Sequence, residues 1–234
     1  GGDGVVRELR ARAPVTARFV AYHHRVSLGV VGREALGSDL FHRTASEVAG
    51  AVAFFDQRGC VSPHVVYVEE GGAADALAFT GELAEALATV ETHLPGGRLD
   101  PLEASELHQV RGAAELMAAT GAGTEVRHGG DASWTVILDP ESSFVPSCLG
   151  RVVRIKAVDD ILRVPAIVEP LGAHLQTVGV AGAGDRVEAL GEAFGRVGAT
   201  RVTGFADVPF PGPWWHHDGT GPLRALVRWV DLEV

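Results

Sequence analysis

One stretch of the chain concentrates residue types able to do covalent chemistry: Phe54-Phe55-Asp56-Gln57-Arg58-Gly59-Cys60-Val61-Ser62-Pro63. A helical pattern ends here, a glycine permits a tight turn, a cysteine sits at the turn, and a β-branched run follows. That order exposes a thiol at a sheet end, among backbone N–H groups able to stabilise an oxyanion. The matching chemistry is nucleophilic attack on an acyl carbon. From the local pattern, a buried structural cysteine acting as a small hydrophobe is equally open. Cys148, in Val145-Pro146-Ser147-Cys148-Leu149-Gly150, lacks such a turn and is assigned to packing. Two cysteines so unlike in setting do not make a metal site, and none is expected.

Other motifs weigh less. On a strand, His23 and His24 would point to opposite faces and could not share one ion. His216-His217-Asp218-Gly219, after Pro211, Pro213 and Trp214-Trp215, reads as a rigid aromatic turn, with a structural or subunit-contact role ahead of a ligand role. Gly182-Ala183-Gly184, between a strand and a helix, invites a dinucleotide-loop reading. Val187 stands where the third glycine belongs, and no acidic residue ends a following strand at the needed distance, so it is taken as a decoy.

The elements that position these residues alternate in the manner of an α/β fold with a mainly parallel sheet and flanking helices. Strand-like runs are Phe19–Tyr22, Val26–Val31, Pro63–Val68, Thr124–Arg127, Ser133–Leu138, Val152–Ile155, Leu175–Val180 and Thr200–Phe205. Helices are expected after the opening glycines and over Leu36–Phe55, Asp75–Thr92, Pro101–Thr120 and Arg186–Val197, with a short one inside Asp159–Val168. The inward faces are read as Leu40, Phe41, Ala45, Val48, Val52 and Phe55, and as Leu102, Leu107, Val110 and Leu116.

Composition bounds the function. The 234 residues are 46% hydrophobic and 21% charged, an ordinary globular balance. Twenty basic against thirty acidic residues give a net charge of −10. Such a surface repels phosphate backbones and anionic lipids, so no nucleic-acid or membrane partner is expected. No apolar run reaches the ~18 residues of a membrane span, so no membrane insertion is expected. Sparse cysteines fit a reducing, cytoplasmic setting.

Three motifs in order carry a family resemblance: His24-Arg25-Val26-Ser27-Leu28-Gly29-Val30-Val31-Gly32-Arg33-Glu34-Ala35-Leu36; Phe55 through Glu69 around Cys60; and Pro213-Trp214-Trp215-His216-His217-Asp218-Gly219 with Leu226-Val227-Arg228-Trp229-Val230-Asp231. Together they resemble the LuxC-like acyl-CoA reductases of the aldehyde dehydrogenase superfamily, which supply fatty aldehyde in bacterial luminescence operons. The resemblance implies an aldehyde-dehydrogenase-type catalytic domain plus the end of a Rossmann-like cofactor domain. It divides the chain into 1–31 (end of the nicotinamide-cofactor domain), 32–205 (catalytic domain) and 206–234 (tail and possible subunit contact in a homo-oligomer). The implied activity is reduction of a long-chain acyl-CoA, or of an acylated partner protein, to fatty aldehyde through a Cys60 acyl-enzyme. NADPH is the implied reductant.

The resemblance also places Gln57 and His24 with Cys60 as catalytic, a cationic histidine lowering the thiol pKa. Phe144, in Glu141-Ser142-Ser143-Phe144-Val145-Pro146, is similar to the superfamily's Glu-x-Phe-Gly-Pro turn, which holds the nicotinamide ribose. Val145 replaces the glycine, and the acid is displaced to Glu141. Core packing of Phe144 is an equal alternative. Gly1-Gly2-Asp3 resembles the superfamily loop near the nicotinamide, which makes Gly2 a cofactor candidate and the chain a fragment of a longer protein. Hydrolytic relatives carry a water-activating glutamate, whereas the corresponding stretch here reads Ala21-Tyr22-His23-His24-Arg25. Rival readings are a CoA-acylating short-chain aldehyde dehydrogenase, an inactive scaffold of the same fold, and a cysteine hydrolase using His24 or His64. Four strand residues would put His64 about 13 Å from Cys60, too far for a direct relay.

Overall fold

The computed structural model describes residues 2–130, 132–221 and 223–234. Gly1 lies outside them. The chain divides into two compact units, one of residues 25–210 and one formed by 1–24 with 211–234. The sequence suggested divisions after residues 31 and 205. The difference arises because the run Val26–Val31 is a mid-sheet strand of the larger unit.

The larger unit is built on seven strands: β1 (Val26–Val31), β2 (Pro63–Glu69), β3 (Glu125–His128), β4 (Thr135–Leu138), β5 (Val152–Val158), β6 (Leu175–Ala181) and β7 (Arg201–Gly204). Their order across the sheet is β3-β4-β5-β2-β1-β6-β7. All neighbours run parallel except β3 and β4, an antiparallel edge. β1 and β2 are buried at every residue, as strands covered on both faces must be.

Helices α2 (Ser38–Ala53), α3 (Ala76–His93) and α4 (Pro101–Ala119) connect the first half of the sheet. The short α5 (Val164–Val168) and α6 (Val187–Arg196) connect the second. Their ends are set by local chemistry. Asp75 caps α3 by accepting from Ala78 N–H, and Asp100 and Glu103 form a reciprocal capping box before Pro101 of α4. One face of β1, β2 and β6 (Leu28, Val30, Val65, Tyr67, Leu175, Val178) packs with Val164, Val168, Leu190 and Phe194 of α5 and α6. On the other face, Gly29 of β1 pairs with Gly179 of β6, and the buried ring of Phe205 lies against both. A Cβ at Gly29 would come within 2.6 Å of that ring, and one at Gly179 within 2.7 Å. Both glycines are there for that close approach.

Some inward assignments change. Phe55 is 59% exposed because the helix stops at Ala53 and the backbone turns left-handed at Phe55. Leu102 and Leu116 of α4 are 69% and 67% exposed, while Leu107, Ala114 and Arg111 are buried. The buried guanidinium of Arg111 donates to Thr135 Oγ1 at 2.8 Å, so a polar residue occupies part of the predicted apolar stripe.

The smaller unit holds α1 (Asp3–Arg12) and the C-terminal tail. Residues 17–25 form no strand, contrary to the pattern of Phe19–Tyr22. Arg18 instead donates to the carbonyls of Ala225 and Val227 at 2.8 and 2.6 Å, tying this segment to the tail. Tyr22 and Trp215 each pack edge-on against the His217 ring, so the expected aromatic turn is present.

Candidate active site

Cys60 lies in the turn before β2, at the N-terminal edge of the parallel sheet, and its thiol is exposed. Because it precedes the strand, the strand-derived spacing to His64 does not apply. Three non-glycine residues in succession, Phe55, Asp56 and Gln57, have φ of 59°, 50° and 63°. Left-handed backbone disfavours side-chain-bearing residues and persists only where surroundings impose it.

The surroundings do impose it. Gln57 is buried, and both polar atoms of its amide are engaged: Nε2 donates to Pro63 O (2.9 Å) and Val152 O (2.8 Å), while Oε1 accepts from Val152 N–H (3.0 Å). This sews the turn to the starts of β2 and β5. The carbonyl of Cys60 itself accepts from Ser27 Oγ at 2.7 Å, and that oxygen accepts from Thr177 N–H at 3.0 Å. The cysteine backbone is thus fixed to β1 and, through Ser27, to β6.

The segment carrying Glu141 and Phe144 is held at both ends. Lys156 and Tyr67, register partners on β5 and β2, donate to the carbonyls of Glu141 and Ser142 respectively. At the far end Ser147 N–H donates to His64 Nδ1 at 3.0 Å, and Ser147 Oγ donates to Val152 O. That commits one His64 nitrogen as an acceptor. Between these points Phe144 is half-buried against the core, and Glu141 is exposed. Burial pushes the Lys156 ammonium down; its hydrogen bond to Asp139 opposes this without cancelling it. Burial raises the Tyr67 phenol and the Cys148 thiol, the latter packed beside Leu107 and Ile137.

His24 lies in the smaller unit, where its backbone N–H donates to Asp3 Oδ1 at 3.1 Å. His23 is not on a strand, so the opposite-faces inference for the pair has no basis there. Gly2 is the residue preceding α1, which has no side-chain cap. The Gly182-Ala183-Gly184 loop is closed by packing: a Cβ at Gly32 would lie 1.9 Å from the Gly182 carbonyl oxygen, and one at Gly182 would lie 2.2 Å from Ala35 N. Sequence reasoning missed Ser27, Ser147 and Lys156, whose roles come from partners outside any local motif.

The whole-chain comparison decides the family. Residues 1–229 match the model described as Acyl-CoA reductase (LuxC). The chain belongs to this family. It is 26% identical over its full length to a long-chain acyl-protein thioester reductase of Aliivibrio fischeri, and it spans 46% of that relative. Solved structures show the aldehyde dehydrogenase fold. KauB of Pseudomonas aeruginosa superposes with a TM-score of 0.68 at 16% identity, over 91% of this chain and 44% of that one. The indole-3-acetaldehyde dehydrogenase AldA of P. syringae, solved with NAD+, gives 0.64 at 15% identity with the same coverage. The LuxC-like resemblance and the mainly parallel α/β fold read from the sequence are both borne out. Among the described residues no helix is long and apolar enough to cross a membrane.

Proposed function

We propose that this chain carries the acyl-accepting site of an enzyme that reduces a long-chain acyl thioester to fatty aldehyde. The observation that carries the reading is Cys60, an exposed cysteine three residues after a hydrogen-bonded left-handed run, in a chain of the LuxC family. The Cys60 thiolate attacks the acyl carbon of acyl-CoA, or of an acylated partner protein. The tetrahedral oxyanion is stabilised by backbone N–H groups of the turn, and collapse expels the donor thiolate, leaving a Cys60 thioester. A thioester is already activated, so the step demands placement more than a strong base.

Gln57 acts here as a positioning residue, because both polar atoms of its amide are spent on Pro63 and Val152. His24 as the cationic neighbour of the thiolate rests on the family resemblance alone. The reductant in this reading is NADPH. The stapled segment fits it: Phe144 is held yet half-exposed and Glu141 is exposed, leaving an aromatic face and a carboxylate for a nicotinamide ribose; Gly2 as a cofactor residue rests on the family resemblance alone. A bound nicotinamide supplies the hydride that releases the acyl group as aldehyde. A cytoplasmic homo-oligomer is the setting this reading takes from composition and motif.

The test is incubation of the folded chain with a long-chain acyl-CoA, followed by intact-mass spectrometry. An acyl adduct lost in Cys60→Ala supports the reading. A wild-type chain that is folded by circular dichroism and takes up no acyl group overturns it.

A further inference from the structure

The turn before Cys60 faces a second left-handed run. Leu149, Gly150 and Arg151 have φ of 70°, 65° and 61°, immediately before β5. The two runs are locked to each other by side chains at matching places. Gln57 reaches Val152, and the side chain of Arg151, 3% exposed, meets Asp56: its Nε and one terminal nitrogen both lie 2.8 Å from Asp56 Oδ1. The other terminal nitrogen donates to Glu91 Oε2 at 2.7 Å and to the Leu94 carbonyl at 2.9 Å. Asp56 Oδ2 in turn accepts from Gly97 N–H at 3.0 Å.

A single buried guanidinium therefore joins Glu91 and Leu94 at the end of α3 to Asp56, the middle residue of the left-handed run before Cys60. Five donors in a fixed planar fork allow one arginine to satisfy all three acceptors; a lysine ammonium has a compact charge and no fork. Without Arg151, Phe55 and Asp56 lose part of what holds them at positive φ and would relax toward ordinary right-handed or extended backbone, because side-chain-bearing residues are disfavoured there, Asp less than most. Cys60 follows three residues after Gln57, so that relaxation would re-aim the thiol without removing it from solvent.

We propose that Arg151, acting through Asp56, is a positioning residue for the Cys60 nucleophile. The proposal rests on the reading of Cys60 as the acyl acceptor. Attack on a bound thioester needs the thiol at a defined place and angle, whereas alkylation by a small untargeted reagent needs only exposure and ionisation. The two reactions separate positioning from general damage.

The experiment measures both reactions on the wild-type chain and on Arg151→Met, Arg151→Lys and Asp56→Asn, well below their melting temperatures. For Arg151→Met, the rate of acyl-adduct formation at saturating acyl-CoA falls tenfold or more, while the half-saturating concentration and the iodoacetamide rate with its pH midpoint stay within about twofold. Arg151→Lys and Asp56→Asn fall between, and they replace the methionine variant as the test should it fail to fold. Asp56→Gly in the Arg151→Met background restores much of the acylation rate, since glycine accepts a φ near +50° without the clamp. Unchanged acylation in a folded Arg151→Met chain overturns the proposal, as does a parallel fall of acylation and alkylation, or a glycine double variant that recovers nothing. A wild-type chain that forms no adduct refutes the acyl-acceptor reading instead.

Discussion

The C-terminal ends of the central strands hold a charge cluster that makes a strong stability prediction. Glu69, the last residue of β2, has a fully buried carboxylate. Its Oε1 accepts from Arg33 (2.7 Å), Arg186 (2.6 Å) and the Ile161 N–H (3.3 Å), and its Oε2 from Arg33 N–H and Arg186, both at 2.9 Å. Burial pushes this carboxyl up, but the arginine hydrogen bonds outweigh burial and hold it well below the usual carboxylate range. Glu69→Gln keeps the shape, removes the charge and turns an amide N–H₂ toward donors. Breaking one partner of a buried pair costs about 3–5 kcal/mol. At about 2–4 °C per kcal/mol for a chain of this size, the melting temperature at pH 7 drops by roughly 6–20 °C. The pH dependence has a definite sign. A carboxyl with a depressed folded-state pKa contributes fully above its unfolded value near 4.3, and the contribution is lost as pH falls below that value. The gap between wild type and Glu69→Gln therefore stays flat from pH 7 to 5 and then narrows by about 1.4 kcal/mol per pH unit. Urea melts at pH 7, 5, 4 and 3 measure it. A variant within 2 °C of wild type at pH 7, or a gap that does not narrow in acid, would refute the reasoning.

Three further outcomes follow from other parts of the molecule. Gly179→Ala drives a methyl into the buried Phe205 ring and costs about 1–3 kcal/mol in thermal melts; combining it with Phe205→Leu recovers part of that loss. Cys148→Ala leaves acyl-adduct formation intact while Cys60→Ala abolishes it, because burial holds the Cys148 thiol protonated; peptide mapping of the adduct reads this directly. Asp100→Ala removes the acceptor of two α4 N–H groups and lowers stability by about 1 kcal/mol, with alkylation of Cys60 unchanged.

What the sequence made legible is what short-range patterns encode. The runs at 26–31, 63–68 and 175–180 became β1, β2 and β6, three neighbouring inner strands, because parallel strands covered on both faces are largely apolar. The helical pattern over Pro101–Thr120 matched α4 to within a residue. The turn at Cys60 was visible as Gly59-Cys60 between a helical and a β-branched pattern. Three things were hidden. Phe19–Tyr22 looks like a strand, but its neighbour Arg18 is drawn to carbonyls two hundred residues away. Phe55 fits the helical stripe, but a left-handed step forced by Gln57 and Asp56 removes it. Arg151 carries no motif; its role exists only where Asp56, Glu91 and Leu94 converge on it. Long-range polar contacts leave no periodic trace.

The two ends of the sheet divide the work. In open α/β sheets, ligands ordinarily sit in the crevice beyond the carboxyl ends of the strands, where strand order reverses. Here β1 lies between β2 and β6 at that reversal, yet the crevice is filled: Gly32 and Gly182 touch backbone to backbone, and Glu69, Arg33, Glu34 and Arg186 pair among themselves. Cys60 sits at the opposite, N-terminal end, its turn held by Ser27, Thr177 and Val152 within the first three residues of β1, β6 and β5 and by Gln57 ahead of β2. Strand starts offer backbone groups not yet committed to the ladder, and the side chains of Gln57 and Ser27 use them to hold the turn. Substitutions at the Glu69 end should therefore lower the melting temperature while leaving the rate of Cys60 alkylation untouched. Substitutions at Asp56 or Arg151 should change acylation more than stability predicts. A Glu69→Gln chain with altered acylation below its melt would show that the two edges are coupled through the strands.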